Sequence, residues 1–449
     1  MKMKANSVLS CSLSLLLAGM LCSCSAKEGG GAASQGGEPA AQNGGSPEKA
    51  ITCMFYSDVW ADYLYEINDA FTGESGIAVN MEYYPFDQFF ELVEVKLSSG
   101  SSDYDVIHVD VPMVAAYANR DYILPMDEYY TEEEKELFLE SALTAGTWDG
   151  KLMAPPMETS SQVLFYNKDL LDQAGVAYPS AKVEDRMTYE QLYSLAGQVQ
   201  KSVDPDGSKS VSGFMFEQVN RPYQILAMPN ALGAPSIGED GFTVDGILNS
   251  EAWIQAMTVY QEAFERKISL RGISADEVPS LFASGKVAFM VGGTWVVDTL
   301  KEIGLEHFGF AAHPYFEGHD PATPTGSWHY GIPKNAKNPD DAAAFIRYMT
   351  IGGGHDMLMT GFPALPATYK HLNRIEEAGQ TDDFSENVMK IAAYEALNTG
   401  VPRPVTPGYT EYENVVGAAM EDISNGADVA EALDGAVDQL NSAFQKYKK

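Results

Sequence analysis

The chain has 449 residues, enough to bury a large core and more than one domain of ordinary size, so two lobes are expected. Acidic side chains outnumber basic ones 63 to 29, for a formal net charge of −34. A surface of that sign repels phosphate backbones and argues against nucleic acid as a partner, while serving solubility at a cell surface.

Lys2 and Lys4 precede an apolar run, Val8 to Leu21, that is too short for a comfortable membrane span. The run ends in Leu21-Cys22-Ser23-Cys24, which has the shape of a bacterial lipoprotein signal. Resemblance to lipoproteins implies a signal peptide over 1–23, cleavage before Cys24 and acylation of its sulfur, as by palmitate. Of the four cysteines, at 11, 22, 24 and 53, only Cys53 then remains a thiol, and no disulfide forms within the chain. Residues 24–49 are rich in Gly, Ala and Ser and bury too little apolar surface to offset their own ordering, so they read as a flexible tether. A tether behind an acylated cysteine places the folded body on the extracytoplasmic face of the cell membrane. No later segment is long and apolar enough to span one.

Ile51 to Tyr56 is a buried-strand candidate, and Ser57-Asp58 can cap a helix on which Trp60, Leu64, Ile67 and Phe71 recur at helical spacing. Val79 to Tyr83 makes a second strand, Phe86 to Leu97 a second helix, and Asp105 to Asp110 a third strand ending in a carboxylate. This βαβαβ order predicts a parallel, doubly wound sheet in an α/β fold. Ligands of such sheets sit outside the carboxyl ends of the strands, where Asp58 and Asp110 fall; as plain structure, Asp58 is an N-cap and Asp110 a turn residue.

Around Trp148 to Gly175 the pattern changes. Pro155-Pro156 stiffen an extended segment, because each ring fixes φ and bars helix on the residue before it. The polar run Glu158-Thr159-Ser160-Ser161-Gln162 follows, and a carboxylate and hydroxyls between two hydrophobic units suit a cleft floor better than a core. Val163 to Tyr166 reads as a short buried strand, Asn167 as a cap, and Leu170 to Ala174 as two helical turns ending at Gly175. Thr188 and Gln191 form a capping box. Asp204 to Ser208 imitates a calcium loop but lacks the glutamate at its twelfth position, where Met215 stands, so a turn into the strand Gly213 to Phe216 is expected. The irregular stretch from Glu217 to Pro235 holds Asn220, Arg221, Tyr223 and Gln224 and suits a cleft loop; Trp253 to Phe264 is an amphipathic scaffold helix.

Val287 to Val291 is a strand, and after a Gly-Gly turn Thr294 caps a helix that begins with Trp295. An indole on the first turn after a strand's carboxyl end stands at a cleft mouth, unless it packs beneath its own helix. Trp328 and Tyr330 share one side of the next strand by period-two spacing, so that one faces ligand and the other is free to join the core. Asn338-Pro339-Asp340-Asp341 starts a helix. Arg403 precedes Tyr409 and Tyr412, and either bonds a ligand or pairs with an acid. Asn414 to Ile423 and Val429 to Phe444 have scaffold periodicity.

The runs G-K-L-x-A-P-P and L-F-Y-N-K-D-L-L-x-x-A-G at 150–175, the stretch Pro279 to Leu300, G-x-W before I-P-K at 326–334, and Phe362 to Ala367 together resemble the extracellular solute-binding proteins (family 1) of ATP-driven sugar importers, the maltose-binding-protein-like class. The resemblance implies a two-lobed periplasmic-binding-protein-like fold (class II type) with a hinge, an N-terminal lobe at 50–159 and 306–348, and a C-terminal lobe at 160–305 and 349–449. It further implies a monomer that takes a sugar or oligosaccharide in the interlobe cleft and delivers it to the permease subunits of an ABC transporter, with no catalytic residue, metal or cofactor. Asp58, Asp110, Glu158, Thr159 and Arg403 are expected to bond hydroxyls, and Tyr223, Trp295, Trp328, Tyr330 and Tyr412 to supply ring faces.

The sequence has no nucleophile elbow, P-loop, zinc-protease motif or dinucleotide fingerprint, and its seven histidines do not cluster. Two alternatives stay open: a binder of polyamine or another small polar solute, suggested by the acids, and an exported carbohydrate-active enzyme, in which acids and aromatic platforms look alike.

Overall fold

The computed structural model describes residues 49–56, 61–219, 221–361 and 364–448. The signal, the tether, Cys24 and the cap Ser57-Asp58 lie outside these described residues, as does the reading of Asn220.

Eight strands build two four-stranded sheets: β1 (Lys49–Tyr56), β2 (Ile77–Tyr84), β3 (Val106–Asp110), β4 (Gln162–Asn167), β5 (Ser212–Phe216), β6 (Val287–Gly293), β7 (Phe308–Ala311) and β8 (Trp328–Gly331). The first sheet has the order β8-β3-β1-β2. β1 pairs parallel with both β2 and β3, as the βαβαβ pattern requires, and β8 closes the edge antiparallel to β3 with Trp328 opposite Asp110. The second sheet has the order β7-β4-β6-β5, with β5 parallel to β6. Each sheet buries its own core: Ile51, Phe55, Val106 and Tyr330 in the first lobe, and Leu164, Phe214, Phe289 and Trp253 in the second. The fold is α/β and two-lobed.

Local signals place the elements well. Thr188 and Gln191 form the capping box, and Asp204 accepts from the backbone N–H groups of Lys209 and Val211, which makes the calcium-like run a turn. The buried Asn167 accepts from the N–H of Leu170 at 3.1 Å and donates to the carbonyl of Phe282 at 3.2 Å, tying a helix start to a neighbouring helix. Asn167→Ala is expected to lower stability by about 1–2 kcal/mol, read as a shifted urea midpoint.

Two boundaries differ from the sequence reading. β7 does not return to the first lobe: it pairs antiparallel with β4, Phe310 opposite Phe165, so the second crossing comes near 326 rather than 306. The helices Pro339–Thr350 and Gly353–Gly361 bury Met349 and Leu358 in the first-lobe core, which carries that lobe beyond 348. Three extended segments therefore cross between lobes side by side. Glu158–Thr159 pairs antiparallel with Leu365–Pro366, while the Met157 N–H donates to the Trp328 carbonyl at 3.0 Å and that of Ser160 to Gly326 at 2.7 Å.

Candidate functional site in the interlobe seam

The carboxyl end of β3 delivers Asp110 to the seam. Facing it from the second lobe is Arg403, whose Nη1 donates to Asp110 at 3.1 Å; the two side chains are 12% and 6% exposed. The guanidinium lies 4.8 Å from the ring centre of Tyr223 and 5.0 Å from that of Tyr409, and its Nε and Nη2 donate to the Tyr409 hydroxyl. Arg221 pairs with Glu413, to which the Tyr409 hydroxyl also donates at 3.3 Å.

From Tyr223 a polar network runs along the second lobe's edge of the seam. Its hydroxyl meets Ser160 Oγ at 3.0 Å and accepts from Gln162 Nε2 at 3.2 Å. Gly326 makes this approach possible, since a Cβ there would stand 2.7 Å from the Tyr223 hydroxyl. Gln224 donates to both Gln162 and Glu217, and Glu217 accepts from the indole N–H of Trp295 at 3.2 Å.

Trp295 is 36% exposed, and its ring lies flat against Gly293, where any Cβ would overlap it at 2.1 Å. Trp295 itself is the N-cap of the helix Val296–Ile303, and Thr294, expected to cap that helix, does not. Beside that turn a cavity of about 420 Å³ opens between Val297 and Val388, from the second lobe, and Met359, which packs on the first-lobe core. Its volume falls in the range of small-molecule sites, about 300–1,000 Å³.

Burial sets the charges. It pushes the Glu158 carboxyl well above the usual range, aided by the charge of Asp110. It raises Asp110 too, though Arg403 and Arg221 pull the other way. Glu217 is pushed up to about 7 by burial, against the bonds from Trp295 and Gln224.

The seam thus brings together Asp110, Glu158, Thr159, Tyr223, Trp295 and Arg403. Trp328 is half-buried and stacks on Tyr56 with ring centres 3.9 Å apart, on the first-lobe side. Two expected residues are excluded. Tyr330 is fully buried in the first-lobe core, and Tyr412 is fully buried in the second, its hydroxyl donating to the Ser236 carbonyl at 2.8 Å; both rings are consumed by packing. Tyr409, one helical turn before Tyr412, takes its place beside Arg403. Asp58 lies outside the described residues. Glu217, Gln162 and Tyr409 were missed as site residues, although polar side chains at both ends of otherwise apolar strands are a visible signal.

Two lobes, each built on its own sheet, three crossing segments and a polar, ring-lined seam define a hinged receptor for a small solute. The chain belongs to the bacterial extracellular solute-binding protein family, whose model matches residues 66–386. A putative binding protein of Brucella abortus (strain 2308) is 24% identical, over 86% of this chain and 90% of its own. The maltooligosaccharide ABC transporter solute-binding lipoprotein of Streptococcus pneumoniae (strain ATCC BAA-255 / R6) is 22% identical, over 78% and 79%. The maltose-binding periplasmic protein of Listeria monocytogenes, solved with maltose, superposes with a TM-score of 0.73 at 20% identity, over 90% of this chain and all of that one.

Proposed function

We propose that the protein captures a sugar or short oligosaccharide between its lobes and hands it to the permease of an ABC transporter, while a lipid on Cys24 and the tether behind it hold it at the outer face of the cell membrane. Among the described residues no helix is long and apolar enough to cross a membrane. The maltooligosaccharide and maltose named for two relatives support a sugar.

The observation that carries the reading is Trp295. Its half-open ring is fixed flat by Gly293 and its N–H by Glu217, which offers a preorganised π-face to the C–H face of a pyranose. Trp328 offers a second ring from the first lobe, and Asp58, Glu158 and Thr159 bond hydroxyls. Burial favours the neutral form of Glu158, and Asp110 is paired with Arg403, an arrangement that suits a neutral polyhydroxyl ligand better than a polyamine. Nothing in this scheme makes or breaks a covalent bond.

In calorimetry against a panel of mono- and oligosaccharides, one sugar should bind without turnover, and Trp295→Ala should weaken it by about 1–3 kcal/mol, as for loss of an aromatic stacking partner. Product formation would favour an enzyme, and tight salt-sensitive binding of spermidine a cation receptor.

A further inference from the structure

The Asp110–Arg403 pair differs from the rest of the seam in what it leaves for a ligand. The guanidinium's other neighbours belong wholly to the second lobe: the Tyr223 ring, and Tyr409, whose hydroxyl accepts from Nε and Nη2. Its remaining charged partner belongs wholly to the first lobe, at the last residue of β3. Separating the lobes breaks the contact with Asp110 alone and leaves the arginine seated on its tyrosines.

We propose that Arg403 is a positioning residue, an interlobe clasp that draws the lobes together through protein atoms alone, and not a contact for the solute. A planar cation already held by the Tyr223 ring and by two hydrogen bonds to the Tyr409 hydroxyl loses little side-chain freedom when it meets a carboxylate, so the contact forms at low entropic cost. Once made, it is buried at both ends, where removal of either partner leaves the other without its nearest opposite charge. The clasp therefore populates the approximated arrangement of lobes before any solute arrives. By conformational linkage, the apparent affinity for solute rises with the fraction of molecules already so arranged.

This inference rests on the hinged-receptor reading for the motion it assumes, but its test uses no sugar and so stands or falls apart from the choice of ligand. Small-angle X-ray scattering would be recorded on the sugar-free full chain as wild type, Asp110→Asn, Arg403→Gln and the double variant, with circular dichroism confirming that each is folded. Both single variants should show a larger radius of gyration than wild type, the double variant should match the singles, and Asp110→Glu should restore part of the compaction. Four superposable curves, or a double variant expanded by the sum of the two singles, would overturn the clasp.

Discussion

Arg186→Ala is expected to lower the free energy of unfolding by about 3–5 kcal/mol, the cost of stranding one member of a buried ion pair. Arg186 reaches Glu395 with both terminal nitrogens, at 2.7 and 3.1 Å, and the two side chains are 6% and 0% exposed. The same Nη1 donates to the carbonyl of His313 at 2.7 Å. Glu395 also accepts from the His313 N–H at 3.1 Å, from Thr323 Oγ1 at 3.1 Å and from Thr399 Oγ1 at 2.6 Å. In the variant these three neutral donors are left to hold a dry carboxylate that had a bidentate cation. Thermal or urea denaturation reads the loss. The apolar double variant Arg186→Met, Glu395→Leu should lose less than the single one, because it buries no orphan charge. A single variant within 1 kcal/mol of wild type would show that the pair contributes little beyond the cost of its own desolvation.

That cluster also marks where sequence reading stops. Arg186 and Glu395 are 209 positions apart, and nothing in the periodicity of either segment points to the other. By contrast the three parallel strands, the capping box at Thr188 and the extended crossing at Pro155-Pro156 were legible, because each is dictated within a few residues by alternation, side-chain capping or the proline ring. β7 shows the intermediate case. The resemblance implied that it joins the first lobe, but which sheet it joins is decided by its register against β4, a long-range pairing that no local pattern encodes. Tyr409 and Tyr412 failed for a related reason. Three positions apart, they lie on neighbouring parts of one helical face, so the sequence allowed either to reach the seam. Both are buried, the second against the Ser236 loop and the first beside Arg403. The position of Trp295 just past a strand was legible because it rests on two local facts, the end of that strand and a glycine pair that leaves room for an indole.

Glu217 links the site to pH. The residue is 7% exposed, and burial pushes its carboxyl up to about 7 from an ordinary value of 4.5, with Trp295, Gln224 and Arg221 opposing the shift. For an acid raised in the folded state, the native form binds the extra proton between the two values, so stability falls as pH rises through that window. The penalty is absent below pH 4.5 and complete above pH 7, and at roughly 1.4 kcal/mol per unit it amounts to about 3 kcal/mol. Glu217→Gln removes the titration while keeping an oxygen that accepts from the indole. The stability of the glutamine variant relative to wild type, measured by urea denaturation at intervals from pH 4 to 8, should therefore rise by about 3 kcal/mol across the window and then level off. A difference that stays flat would mean that Glu217 ionises freely, and that the indole N–H of Trp295 is held by a full carboxylate at neutral pH.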